Sequence, residues 1–502
     1  MDEPGPTPDR FAKVFANFIK EVSALAAMRT SPLFERMRGH LGADIAQLPV
    51  TVEQFDSFDL PNLQVALDGY LAADGRSAEL VGVSMEHKRF MAVGLSELVS
   101  WTEDGPDERR LVEGPVDYVN VHLADGRVLA CVHFGLYLVR SGDSRHVVLV
   151  TGPSEMGDPR QQKLRVEVMS AQPDDSAAFI TELRKLMDRL NVFRGHAISL
   201  SAASMQIGPG PVTHVQFQPV PKVERADVIL PQGLLEQIER QTISFSEHAD
   251  DLLASGRSLK RGLLLYGLPG TGKTLSIMYL IGRLPGRTTI LTTGRGFGLI
   301  SSVAQLARQL APSMVVLEDV DLVAEERTMP GFGARPILFE LLNEMDGLRD
   351  DQDVIFVLTT NRPEILEPAL AARPGRIDLA IELPLPDEAG RRRLLELYSR
   401  GLSLEGVDIA ALVNRTEGAT PAYIKELMRK AALRAAESGS ARVVHQEQVD
   451  GALEELAQGG RLAERILGFK PDAMGSEPTR GAETNRPTGF PWVATSIIHR
   501  DE

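Results

Sequence analysis

Along the chain the spacing of apolar positions changes character several times. Phe11, Phe15, Phe18, Val22 and Leu25 recur at helical intervals, which predicts a helix from about Asp9 into the late twenties that buries one stripe. Asp2, Glu3, Asp9 and Glu21 dilute the basic face a membrane-surface helix requires, so a core or docking helix is the expectation. From about Val116 the period falls to two. Val119, Val121 and Leu123 alternate, Asp125-Gly126 follows, and Val128, Ala130, Val132 and Phe134 alternate again. Asp-Gly between alternating runs predicts a hairpin with a two-residue turn, whose register gathers these apolar residues on one face. The opposite face then holds His122, Cys131 and His133. No fourth metal ligand is evident, and half-exposed histidines are ordinary on a sheet. Strands are expected at 146–151 and 163–169. Phe179, Ile180, Leu183, Leu186, Met187 and Leu190 then mark one helix face capped by Asp175 or Ser176. Residues 1–205 read as an α+β domain, helices first and a small antiparallel sheet after, with no chemical motif.

GPGP and then QPVPK interrupt every periodicity between Met205 and Lys222, so 206–224 reads as a linker. Over 225–386 strand and helix patterns alternate, as βαβ units require. After Pro386 the chain reads as helical, over 387–402, 408–416, 421–437 and 445–458, and Thr420-Pro421 marks one helix start. The expected units are an α/β subdomain at 225–386 and a helical one at 387–465. A tail at 466–502 rich in Gly, Pro, Ser, Thr and charge is expected to be disordered. Gly489-Phe490-Pro491-Trp492 within it is either a short docking motif or an incidental aromatic cluster.

Composition narrows the class. The 502 residues are 43% hydrophobic and 25% charged, and no apolar run reaches the ~18 residues that span a bilayer. MDEPGPTPDR is acidic and Pro-rich where a secretory signal is basic and then apolar, so a cytoplasmic protein is expected. Cys131 is the one cysteine, which excludes an internal disulfide and Cys-rich metal modules. With 54 Lys+Arg against 69 Asp+Glu the net charge is -15, which disfavours a broad nucleic-acid surface.

The chemistry concentrates in the α/β region. The apolar run Leu263 to Tyr266 feeds into Gly267-Leu268-Pro269-Gly270-Thr271-Gly272-Lys273-Thr274, continuing through Leu275 into a helical pattern. This is GxxxxGK[ST] between strand and helix: glycines let successive N–H groups face a β-phosphate at a helix N-terminus. Lys273 supplies charge between β- and γ-phosphates, and the Thr274 hydroxyl suits Mg²⁺. Downstream, Met314 to Leu317 is an apolar run ending in Glu318-Asp319, the pattern of a buried parallel strand whose C-terminal end meets the ligand. Adjacent strand residues point to opposite sides, so the two carboxylates divide the work. Glu318 is placed on Mg²⁺ and Asp319 on the attacking water.

Together these motifs resemble the AAA family of ATPases over about 225–465, in the branch marked by a second region of homology. Leu342-Asn343-Glu344-Met345-Asp346-Gly347-Leu348 is similar to the segment that signals between subunits, and Val354 to Asn361 ends in an asparagine matching the γ-phosphate sensor. Arg373-Pro374-Gly375-Arg376-Ile377-Asp378 resembles the second region of homology. The resemblance implies that Arg373 and Arg376 reach the ATP of a neighbouring protomer as arginine fingers. It also implies a five-stranded parallel P-loop core with an all-helical lid, ATP and Mg²⁺ as ligands, and a homo-oligomer in the form of a hexameric ring. The sequence departs from the family's pattern in four ways. The acidic pair runs Glu-Asp instead of Asp-Glu, one extra residue separates Leu370 from Arg373, the second-sensor position falls near Ala422, and the segment before the acidic strand is short. In that segment Phe297 occupies the place of a pore-loop aromatic, or is a packed turn residue. The expected function is ATP-driven remodelling or translocation of a protein substrate chosen by the N-terminal domain. No HExxH occurs, so a zinc protease is not encoded in these residues. A slow, nucleotide-gated assembly scaffold is the alternative, and a nucleic-acid motor fits the acidic charge poorly.

Overall fold

A computed structural model describes residues 12, 15–18, 32–84, 94–100, 112–153, 163–203, 212–293, 299–321, 337–347, 349–364, 366, 377–440 and 442–458. Contacts divide the chain into two compact units, Met1–Gly390 and Arg391–Glu502. Most of the helix expected from Asp9 onward lies outside the described residues. Within it, residues 15–18 are helical with Phe15 and Phe18 exposed.

The first unit begins with helix α1 (Pro32–Leu41), strand β1 (Val50–Phe55), helix α2 (Leu60–Leu71) and strands β2 (Arg76–Ser84), β3 (Val112–Gly114) and β4 (Asp117–His122). Strands β5 (Val128–Ser141), β6 (Ser144–Thr151) and β7 (Leu164–Ser170) and helix α3 (Pro173–Arg189) follow. The strands pair antiparallel in a seven-stranded sheet, β1-β7-β6-β5-β2-β3, with β4 also on β5. Helices cover both faces. Leu63, Leu67, Phe179 and Leu183 pack on Val148 and Val150, while Leu33 and Met37 pack on Val147 and Leu149. Two-sided cover is why β6 reads as an unbroken apolar run instead of an alternating one. Helix α3 starts at Pro173 with Gln172 as its cap residue. Asp175 and Ser176, expected as caps, therefore sit in the first turn, where Asp175 complements the helix dipole.

The β4–β5 hairpin departs from the expected register. His122 pairs with Val128 and Val121 with Leu129, and the turn is a three-residue loop in which Leu123 N–H donates to the Arg127 carbonyl (2.9 Å) and Gly126 has φ 82°. This is a turn closed by a left-handed glycine, the next hairpin solution after the two-residue one. The one-residue change moves Val119 across from Cys131 and Val121 across from Leu129, and separates His122 from the Cys131 face. Cys131 is buried, and His133 Nε2 lies 3.1 Å from the Pro153 carbonyl. Among the described residues no group of three His, Cys, Asp or Glu is placed to hold a metal.

The second sheet overrides the linker reading. Strands β8 (Ala197–Ala203) and β9 (Val212–Phe217) pair antiparallel, and β8 joins β11 (Thr288–Thr293) in parallel. With β10 (Arg261–Tyr266), β12 (Ser313–Glu318), β13 (Val354–Thr360) and β14 (Leu379–Glu382) the order is β14-β10-β13-β12-β11-β8-β9. The five parallel strands expected over 225–386 are β10 to β14, and the sheet extends beyond them by β8 in parallel and by β9, from within 206–224, as the antiparallel edge. Short strands set among Gly208-Pro209-Gly210-Pro211 and Pro219-Val220-Pro221 read locally as coil because pairing, not propensity, makes them strands. Nor does residue 205 separate the two sheets, since the chain changes sheet between Ser170 and Ala197. Phe58, just before α2, is buried in the second sheet's core among Leu299, Val303, Val215 and Phe217. Helices α4 (Lys273–Arg283), α5 (Ile300–Gln309) and α6 (Ile337–Asp346) complete the α/β arrangement.

Under this sheet, buried Arg287 donates to both Asp353 carboxylate oxygens (2.9 and 2.6 Å), the Ser313 carbonyl (2.9 Å) and Ser246 Oγ (2.6 Å). Arg287→Ala leaves the Asp353 carboxylate unpaired at a part-buried site and is expected to cost about 3–5 kcal/mol in urea unfolding. A loss under about 1 kcal/mol would mean that the pair is worth no more than an exposed one.

Helix α7 (Glu388–Tyr398) leads into the second unit, which holds α8 (Ile409–Arg415), α9 (Pro421–Glu437) and α10 (Gln446–Gln458). Thr420 caps α9 by accepting from Tyr423 N–H (3.2 Å), with Pro421 at the first position. Besides these helices the unit contains a parallel ribbon, β15 (Ser403–Glu405) with β16 (Val443–His445), so it is not wholly helical. The 466–502 tail with its Phe490 and Trp492 lies outside the described residues. Among the described residues no helix is long and apolar enough to cross a membrane.

Candidate functional site

Parallel pairing brings three strand ends to one edge of the second sheet. Tyr266 at the end of β10 aligns with Thr360 of β13, and Leu317 of β12 with Leu358. The loops that follow therefore meet in one place, the usual ligand edge of an open parallel sheet. The loop from Gly267 to Gly272 leaves β10 and opens α4. Gly267 has φ 146°, and a Cβ there would lie 2.4 Å from the Leu383 carbonyl oxygen, so only glycine fits. Gly272, at φ 102°, is the N-cap of α4, and its lack of a side chain leaves the first helical N–H groups open.

Lys273, at the first position of α4, is 7% exposed and turns back over the loop, donating from Nζ to the carbonyls of Gly267 (2.7 Å) and Leu268 (2.9 Å). Burial lowers its pKa from the usual lysine value, and the charges of Asp319 and Asp321 oppose that shift. Thr271 Oγ1 donates to the Leu268 carbonyl (2.9 Å), closing the loop across Pro269 and Gly270, and Leu275 packs against the core under the sheet. Leu268 is half exposed at the loop's tip.

Glu318 and Asp319 occupy this edge with different partners. Glu318 Oε1 accepts from Thr274 Oγ1 at 2.7 Å, so a hydroxyl and a carboxylate oxygen converge at the start of α4. Asp319 leaves the strand with φ 53°, the one described non-glycine residue at positive φ. Its N–H donates to Thr359 Oγ1 (2.9 Å) and its Oδ1 accepts from Asn361 Nδ2 (3.0 Å). Strand alternation was expected to part the two carboxylates. A left-handed backbone at 319 is what turns one toward Thr274 and the other toward Asn361.

Three supporting residues escaped the sequence reading. Thr359 receives the Asp319 N–H, Thr360 Oγ1 donates to Asp321 Oδ1 (2.8 Å), and Asp321 Oδ1 also accepts from Asn361 N–H (3.2 Å). Their signal was present, since Asp321 stands two residues past Asp319 and two threonines end the apolar run Val354–Leu358. Glu344 Oε2 accepts from both terminal guanidinium nitrogens of Arg308 at 3.1 Å, which ties α6 to α5. Arg373, Arg376 and Phe297 lie outside the described residues. Directly after Arg376, Ile377 packs on the core and Asp378 accepts from Gly262 N–H (2.8 Å).

Comparison with known proteins matches this architecture. The family model "ATPase family associated with various cellular activities (AAA)" covers residues 263–385, and the "AAA+ lid domain" model covers 406–450. The proteasome-activating nucleotidase of Methanothermobacter thermautotrophicus is 33% identical over 280 residues, 51% of this chain and 67% of that protein. That of Pyrococcus horikoshii is 29% identical over 314 residues, 57% of this chain and 77% of that protein. The ATP-dependent zinc metalloprotease FtsH 1 of Conexibacter woesei is 33% identical over 251 residues, which span 47% of this chain and 38% of the metalloprotease. The matched models fall on the stretch that carries Lys273 and Glu318 and on the helical unit after it: this chain belongs to the AAA family of ATPases.

Proposed function

We propose that this ATPase couples ATP hydrolysis at the interfaces of a hexameric ring to remodelling or translocating a protein substrate, in the cytoplasm, with the first antiparallel sheet and its helices selecting that substrate. The observation that carries the nucleotide part is the division of partners at the sheet edge, Glu318 with Thr274 and Asp319 with Asn361. In this reading Lys273 and the N–H groups of Gly270 to Thr274 hold the β- and γ-phosphates. Thr274 and Glu318 fit Mg²⁺, being hard oxygen donors brought together at the phosphate end of α4. When bound, that ion neutralises charge on the β- and γ-oxygens. Asp319 accepts the proton of the attacking water, and Asn361 fixes the carboxylate's direction. Arg373 and Arg376, from the neighbouring protomer, stabilise charge on the transferring phosphoryl group, which makes turnover depend on assembly.

The protein substrate follows from the relatives' names, a proteasome-activating nucleotidase and a protease, both of which belong to protein breakdown. No HExxH occurs in these residues, and ATP hydrolysis is the part of such work proposed for them. An unfolded probe, reduced and carboxymethylated α-lactalbumin, is expected to raise kcat several-fold, while DNA and RNA leave it unchanged. Stimulation by nucleic acid with a steep salt dependence would replace this reading with a nucleic-acid motor. The reversed Glu318-Asp319 order motivates the second reading, a nucleotide-gated scaffold, and a basal turnover that no polypeptide raises would support it.

A further inference from the structure

We infer that Asp321 is a positioning residue for hydrolysis: it sets the end of β13 so that Asn361 meets Asp319, without itself touching nucleotide. The inference rests on the ATPase assignment of Asp319 and Asn361 given above. Asp321 is 5% exposed, and one oxygen, Oδ1, takes both the Thr360 hydroxyl (2.8 Å) and the Asn361 backbone N–H (3.2 Å). Thr360 Oγ1 passes the constraint on by accepting from Arg362 N–H (2.9 Å), so the main chain on both sides of Asn361 is held from a single carboxylate. On the facing strand Thr359 Oγ1 accepts the N–H of Asp319, whose backbone is left-handed. A left-handed non-glycine residue stays in place only where its surroundings fix it. Two short crosslinks therefore tie β12's end to β13's end, one through Thr359 and one through Asp321. Between them lies the 3.0 Å contact of Asp319 Oδ1 with Asn361 Nδ2.

The geometry assigns Asp321 an acceptor's role. Its second effect is electrostatic, since with Asp319 it favours the charged form of Lys273. The two roles separate on substitution, because asparagine keeps an oxygen acceptor at Oδ1 and loses the charge. In steady-state assays of the full chain, Asp321→Ala is expected to lower kcat about 10–100-fold, as misplaced catalytic groups do. The KM for ATP should stay within about threefold of wild type, because the hydrogen bonds of Lys273 to the Gly267 and Leu268 carbonyls do not involve Asp321. Asp321→Asn should recover kcat to within about threefold of wild type. Thr360→Val reaches the same contact from the other side, and should lower kcat in the same direction even if Asp321→Ala fails to fold. Combined with Asp321→Ala it should add little further loss.

The inference is overturned if kcat of folded Asp321→Ala matches wild type, or if KM and kcat collapse together with loss of assembly. An Asp321→Asn protein as impaired as Asp321→Ala also overturns it, because the charge on Lys273 is then what matters. Asp319→Asn, run in parallel, keeps the questions apart. If that variant turns over like wild type, the assignment of Asp319 fails. If it is inactive while Asp321→Ala and Thr360→Val are not, only the role of Asp321 fails.

Discussion

Replacing Lys273 with methionine removes the stabilisation that ATP gives the protein, yet leaves the nucleotide-free fold within about 1 kcal/mol of wild type. Lys273 is buried and its ammonium is shared between the Gly267 and Leu268 carbonyls, so it holds the loop's shape while carrying charge out of water. Burial depresses its folded-state pKa below that of the unfolded chain. A depressed value contributes stability only above the unfolded-state pKa and loses it as pH falls, so at neutral pH this lysine weighs against folding. Methionine removes that weight and two hydrogen bonds together, and the terms offset. Phosphate oxygens change the balance, because they restore to the ammonium the solvation that burial took. Wild type at an ATP concentration of about 100 Kd should gain about 2.7 kcal/mol. Thermal unfolding with and without ATP measures the difference, and Lys273→Met should show none. A shift equal to that of wild type would place the nucleotide elsewhere.

Residues whose chemistry is local were legible in the sequence. Gly267, Gly272, Lys273 and Thr274 lie in one continuous stretch, and their geometry follows from glycine's conformational range and the start of a helix. Asn361 could be marked only through the family resemblance, because a strand ending in asparagine matches the γ-phosphate sensor. The strand ends could be expected to meet because parallel sheets place ligands there. What escaped depends on partners distant in sequence. Val212–Phe217 is a strand because Ile198–Ala203 pairs with it, and nothing within those six residues announces this. The β4–β5 register turned on whether Gly126 closes a two- or a three-residue loop, and Asp-Gly serves in both. Asp321 reads as one more charge after a strand, and only the Thr360 and Asn361 donors on its oxygen, some 40 residues away, distinguish it. The left-handed backbone at Asp319 has no local signal except that aspartate tolerates it better than most residues.

That tolerance makes Asp319→Asn the sharper test of catalysis. Asparagine accepts φ 53° as readily as aspartate does, and its side chain still pairs with the Asn361 amide, so the backbone and the contact survive while the negative charge is lost. We expect kcat to fall about 10²–10⁴-fold, the range for removing a general base. ATP affinity should stay within about threefold, since neither Lys273 nor Thr274 contacts this carboxylate. Glu318→Gln should behave differently: its partner is Thr274, so the effect should be weakened nucleotide binding at limiting Mg²⁺. The contrast also addresses the reversed acidic pair. A left-handed backbone suits the shorter side chain, so aspartate at 319 is the local solution to its own geometry rather than a disabled glutamate. If Asp319→Asn turned over at the wild-type rate, that argument would fail, and the protein would be a nucleotide-gated scaffold whose acidic pair holds ATP without using it.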